Sequence, residues 1–171
     1  MSVHATDKIL PLDKRNAFLS FPVLFHPFLP IEFQTLLFAF HNQSHVQTYG
    51  WQNWQENGAI SGTSGKAKRL EAIKVKLRNI KLSGNIEYQS HVQTYGWEKT
   101  WKKNGQLSGT SGKAKRLEAV KIRLTGELKN KYDIYYRVHS QTYGWLGWAK
   151  NGEAAEQKDS PNDWKQYRLF L

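Results

Sequence analysis

Three histidines, two glutamates and two serine-bearing glycine loops are the reactive groups of this 171-residue chain, and each recurs at a fixed place. His45, His91 and His139 each stand two residues before a glutamine: Gln47, Gln93 and Gln141. Three imidazoles meeting on one axis would suit a metal ion. The alternation of their segments puts them opposite the apolar face, where they diverge, so no metal site is expected. Glu71 and Glu118 are copies of one position. Acid–base catalysis needs two carboxylates in different environments, and copies share one environment. A salt bridge or loop hydrogen bond is the expected role for both.

Gly62-Thr-Ser-Gly-Lys66 and Gly109-Thr-Ser-Gly-Lys113 imitate a phosphate-binding loop. The full pattern needs a glycine five residues before the Gly-Lys and a hydroxyl residue after the lysine. Those places hold Ile60 and Ala67, then Leu107 and Ala114. A strand pattern follows where a helix N-terminus should cradle the phosphates. Nucleotide binding is therefore not expected, although Thr63, Ser64, Lys66, Thr110, Ser111 and Lys113 stay candidates for ligand contact. Ser64 and Ser111 show neither a nucleophile elbow nor a His–acid partner set in sequence. No catalytic residue and no cofactor is expected.

Tryptophans come in pairs: Trp51/Trp54, Trp97/Trp101 and Trp145/Trp148. The first follows its glycine (Gly50, Gly96, Gly144) at once in every copy, which assigns Gly50, Trp51, Gly96, Trp97, Gly144 and Trp145 to the structural core. The second shifts by one place in the middle copy, which close packing tolerates badly. Trp54, Trp101 and Trp148 are therefore assigned to a ligand-facing role, as platforms for sugar rings.

All these residues belong to one repeated phrase. Gln-Ser-His-Val-Gln-Thr-Tyr-Gly-Trp occupies 43–51 and again 89–97, and a third copy opens at Ile134 and loses its match at about Ala155. Corresponding histidines lie 46 and then 48 residues apart. A period of that size means a fold built from copies of one unit. The divisions read as 43–85, 86–133 and a partial 134–154, flanked by residues 1–42 and 155–171.

Gly-Trp, a nearby Asn-Gly, a Gly-Thr-x-Gly turn and an Arg-Leu-Glu-Ala strand, recurring about every fifty residues, resemble the clostridial hydrophobic-Trp (ChW) repeat. The resemblance covers roughly 43–154. It implies a tandem module of exported or surface proteins of Gram-positive bacteria, with a binding or adhesion role. Extracellular location is implied by that resemblance alone.

The elements that carry the phrase read as strands. Ile73, Val75 and Leu77 alternate with Lys74 and Lys76; Val120, Ile122 and Leu124 alternate with Lys121 and Arg123. Ile86, Tyr88, Ser90 and Val92 do the same, and Ile134–Gln141 repeats that strand. Period-two alternation marks a strand with one wet face. Asn57-Gly58 and Asn104-Gly105 are tight-turn pairs. No segment shows a helical stripe. The expected fold is all-β: tandem antiparallel units forming a pseudo-threefold body, with a β-prism favoured, a β-trefoil second and a linear stack third. The missing half of the third copy must come from the strand-like end Trp164–Leu171 or from residues 31–40.

The net charge of +11 lies entirely in 43–154, which holds 19 Lys and Arg against 8 Asp and Glu. Such an array is drawn to polyanions. Cysteine is absent, which excludes disulfides and thiolate chemistry. Residues 18–40 are apolar, but Pro22, Pro27 and Pro30 break any spanning helix, and no small-x-small cleavage site follows Lys14-Arg15. Both flanks are expected to be poorly ordered and dispensable. Together these features point to a non-catalytic binding or adhesion module for carbohydrate or cell-wall polymer. The alternatives are a nucleic-acid or polyanion binder and an accessory module of a secreted hydrolase.

Overall fold

The structure of the chain, a computed structural model, describes residues 2–3, 39–56, 58–156 and 169–170. The proline-broken stretch 4–38, Asn57 and the segment around Trp164 lie outside the described residues. The first two repeats are each built on one long central strand. In the first, β2 (Ala39–Val46) pairs antiparallel with β6 (Leu70–Arg78) on one side and with the short β3 (Gly50–Trp51) and β4 (Gln55–Glu56) on the other. The second repeats this with β7 (Ile86–Val92) against β11 (Leu117–Leu124), β8 (Gly96–Trp97) and β9 (Lys102–Lys103). Between them stand β5 (Ser61–Gly62) and β10 (Ser108–Gly109). The fold is all-β and antiparallel, as the alternation required.

Repeats are joined by an exchanged strand. β10 of the second repeat adds to β6 of the first, with Ser108 opposite Ile73 and Gly109 opposite Ala72. A bridge from Ala155 to Val120 does the same between the second and third. The place that a preceding repeat's long strand would take beside β5 is filled by β1 (Ser2–Val3). The third repeat contains β12 (Tyr135–Tyr136), β13 (His139–Ser140), β14 (Gly144–Trp145) and β15 (Ala149–Lys150). Its missing Arg-Leu-Glu-Ala strand is replaced by β16 (Leu169–Phe170), which sets Phe170 opposite His139. A two-residue strand from each flank, β1 and β16, thus lies on an open edge of the array. None of the sheets closes on itself among the described residues, so strand pairing does not produce the closed prism or trefoil.

The core follows the alternation. Ile86, Tyr88, Val92, Leu117, Val120 and Ile122 are at most 2% exposed, together with Ile73 and Val75 of the preceding repeat. Two buried serine pairs match between the first two repeats. Ser44 Oγ meets Ser61 Oγ at 2.7 Å, and Ser90 meets Ser108 at 2.7 Å. In the third repeat Val138 and Ala155 stand at both places, so neither hydroxyl is left alone, a loss that would be costly in a core. The two extra residues of the longer period fall near α1 (Gly126–Lys131), a helix of six residues that buries Leu128. It is too short to show a stripe in sequence. Its Glu127 accepts the Ser83 N–H at 2.8 Å, which holds that carboxyl below the usual range. Among the described residues no helix is long and apolar enough to cross a membrane.

The exchange depends on Gly109. Its φ is +104°, and a Cβ there would meet Glu71 O at 2.5 Å and Ala72 Cα at 2.9 Å, both backbone atoms of the first repeat. Gly109→Ala is expected to cost well over 1 kcal/mol, since it combines left-handed strain with a backbone clash. Thermal unfolding should show a clear drop in Tm, while Gly65→Ala, with open space around its Cβ, should drop less.

Candidate aromatic and cation surface

The register of the central strands fixes what stands on the wet face. His45, His91 and His139 lie directly opposite Trp51, Trp97 and Trp145. Opposed residues of an antiparallel pair share a face, so each ring pair meets edge-on, with centroids 5.3, 5.4 and 5.2 Å apart. The first tryptophan is therefore half-buried on the outer surface and not in the core to which its spacing assigned it. Its fixed place after glycine has another cause. Gly50, Gly96 and Gly144 take φ of 69°, 75° and 68°, and this left-handed turn starts the short strand.

Wet-face cations of the neighbouring strand cover these rings. Lys74 Nζ lies 4.1 Å from the Trp51 centroid and Lys76 Nζ 3.8 Å from Trp54. Lys121 lies 4.1 Å from Trp97, and the Arg123 guanidinium 3.9 Å from Trp101. In the third repeat Arg137 of the central segment sits 4.6 Å from both Trp145 and Trp148. Lys68 and Lys115 approach the exposed rings of Tyr49 and Tyr95 at 6.0 and 5.8 Å. Trp54 and Trp101 are half-buried, and Trp148 is 43% exposed. A one-place shift of the second Trp is harmless on such a surface. The result is a ladder of indole and phenol rings with a cation beside each.

Beneath the ladder lie two buried carboxylates. Leu70 pairs with Val46 and Ala72 with His45, so Glu71 is the extra residue of a β-bulge; Glu118 holds the same place between Leu117 and Ala119. Bulges re-aim a side chain, and here they turn the carboxylate under the histidine. Glu71 Oε2 lies 3.2 Å from His45 Nδ1, and Oε1 accepts from Arg69 Nε at 2.8 Å. Glu118 repeats the arrangement with His91 at 3.1 Å and Arg116 at 2.9 Å. Among the described residues no cluster of His, Asp or Glu is disposed to hold a metal.

The glycine loops run into strands, β6 and β11, and not into helices. Ser64, Lys66, Ser111 and Lys113 are exposed, whereas Thr63 and Thr110 are half-buried. The loop of the second repeat docks on the first: Thr110 N–H donates to Glu71 O at 2.8 Å, and Ser111 Oγ lies 3.3 Å from His45 Nε2. Hydroxyl, imidazole and carboxylate thus stand in line as Ser111, His45 and Glu71, a set that sequence reading had not found for this serine. Its members come from two repeats and one bulge, so spacing could not reveal it. The Ser111–His45 contact can polarise the hydroxyl, while His45 Nδ1, although 3.2 Å from Glu71 Oε2, makes no hydrogen bond.

Two more histidine environments matter for stability. Burial holds His41 below the ordinary imidazole pKa, with Glu56 at 3.2 Å opposing, and burial lowers His139 too. The unfolded chain, with imidazoles near 6.5, binds protons first as pH falls. Stability contributed by these two groups is whole above about pH 6.5 and lost as pH falls through the folded values. Urea unfolding is expected to show a lower midpoint at pH 5.5 than at 7.5, and a His41→Gln/His139→Gln variant should show a smaller difference.

Residues 45–79 and 91–126 match a family model described as Clostridial hydrophobic W. Each match begins at the histidine and takes in the tryptophan pair, the glycine loop, the bulged glutamate and the covering cations. No curated protein and no solved structure matches the chain.

Proposed function

Because residues 45–79 and 91–126 are ChW repeats, we propose that this protein is a non-catalytic binding or adhesion module of a bacterial surface or secreted protein. Its ligand is a cell-wall polymer or acidic glycan that carries negative charge along a sugar chain. One observation carries this reading: in every repeat the outward tryptophans are covered by Lys or Arg. A ring already capped by a cation offers one free face and a charge beside it, which suits a sugar with an adjoining phosphate or carboxylate better than a neutral ring. The net charge of the array agrees.

A panel of teichoic acid, neutral wall glycan and single-stranded nucleic acid, titrated at 50 and 200 mM salt, tests this. Teichoic acid should bind, with affinity falling by roughly tenfold or more over that range, as counterion release requires. Neutral glycan bound equally well at both concentrations would overturn the anionic reading. Nucleic acid bound more tightly than either would replace the wall polymer as ligand.

The grouping of Ser111, His45 and Glu71 favours a second reading, hydrolysis of an ester by attack of the serine hydroxyl on its carbonyl carbon. Labelling of Ser111 by a fluorophosphonate, lost in His45→Ala, would establish it; an unlabelled serine would remove it.

A further inference from the structure

Between the first and second repeats lies a cavity of about 400 Å³ lined by the same positions taken from each: Gln47 and Gln93, Arg69 and Arg116, with Lys68 beside them. Volumes of this order hold small ligands. No carboxylate is among the lining residues. Glu71 and Glu118 engage one edge of each guanidinium, Nε of Arg69 at 2.8 Å and Nη2 of Arg116 at 2.9 Å. The buried carboxylates thereby fix both guanidinium planes without filling the cavity. Ala67 and Ala114, also in the lining, take left-handed backbone with φ of 51° and 54°. That conformation is uncommon for alanine, and such strain concentrates where a site must be shaped.

Resting on the reading of the array as an anionic-polymer binder, we infer that this junction cavity holds one oxyanion of the polymer, a phosphodiester or a carboxylate. Arginine donates in a planar fork that matches either group, and the two glutamine amides add neutral donors. The site needs two consecutive repeats. A single repeat supplies only half of it, which gives tandem copies a binding function that isolated copies lack.

Amide NMR of the full chain, titrated separately with inorganic phosphate and with glucuronate, tests the inference. Saturable shifts are expected at Gln47, Lys68, Gln93 and Arg116, and the tighter of the two probes identifies the oxyanion. Gln47→Glu/Gln93→Glu nearly preserves shape while placing two carboxylates in the cavity. It should abolish those shifts and weaken teichoic acid binding by at least about tenfold. Asn79→Asp/Asn130→Asp makes the same charge change at exposed positions and should keep both. Absence of saturable shifts in the wild-type chain overturns the inference without any variant. Polymer binding with no shift at the cavity would remove the subsite and leave the functional reading standing. Phosphate shifts with no polymer binding would do the reverse.

Discussion

Tyr88→Ala is expected to lower stability by about 3–5 kcal/mol, the cost of deleting a large buried ring. A domain of this kind has only about 5–15 kcal/mol in total, so the variant should sit near its unfolding transition at room temperature. Tyr88 is fully buried and donates its hydroxyl to Gln106 O in the turn that touches the first repeat. That turn is tied across the junction by Gly105 N–H donating to Val75 O at 2.6 Å. Tyr136 holds the equivalent place at the next junction, with its hydroxyl on Glu153 O. Tyr88→Phe keeps the ring and removes only the hydroxyl's bond to the Gln106 carbonyl, so about 0.5–1.5 kcal/mol should be lost. Chemical denaturation of the two variants separates ring from hydroxyl; equal losses would mean the ring contributes little.

Alkaline pH gives an independent readout. Burial pushes both the Tyr88 and Tyr136 hydroxyls up to about 12. The unfolded chain releases these protons near pH 10, so their contribution is whole below about 10 and lost as pH rises towards 12. Tyr88→Phe should flatten part of that loss.

Much of this architecture is legible in the letters. The repeat, its strands and its turns follow from alternation and from Asn104-Gly105, whose residues take φ of 46° and 90°. Three features were not legible. Leu70-Glu71-Ala72 reads as plain strand, because a bulge is visible only against the partner that skips a residue. The exchanged strand β10 has two residues, too few for any periodic signal, and its partner lies in another repeat. The first tryptophan misleads because an apolar ring at fixed spacing is ordinarily core. Here its cross-strand neighbour, His45, puts it on the wet face, and that pairing becomes visible only with the register of β2 and β3.

Trp97→Ala carries the second large effect, and it falls on binding. Losing one stacking ring is expected to weaken polymer binding by about 1–3 kcal/mol, by analogy with aromatic platforms for single strands. The ring is half-buried between His91 and Lys121, so stability should fall by less than for Tyr88→Ala. Trp101→Ala should behave similarly, because Arg123 covers that ring and is itself held by Glu87 at 2.7 Å. Collapse of the fold in Trp97→Ala, as complete as in Tyr88→Ala, would return this ring to the core.

The central claim is that ring and cation recognise the polymer as one unit. The most direct measurement is a double-mutant cycle on Trp97 and Lys121, with teichoic acid affinity determined calorimetrically for wild type, Trp97→Ala, Lys121→Ala and the pair. The two groups lie 4.1 Å apart, and the account predicts a coupling of about 0.5–2 kcal/mol, with the second substitution costing much less once the first is made. Losses that simply add, or a Lys121→Ala variant that binds as well as wild type, would contradict it.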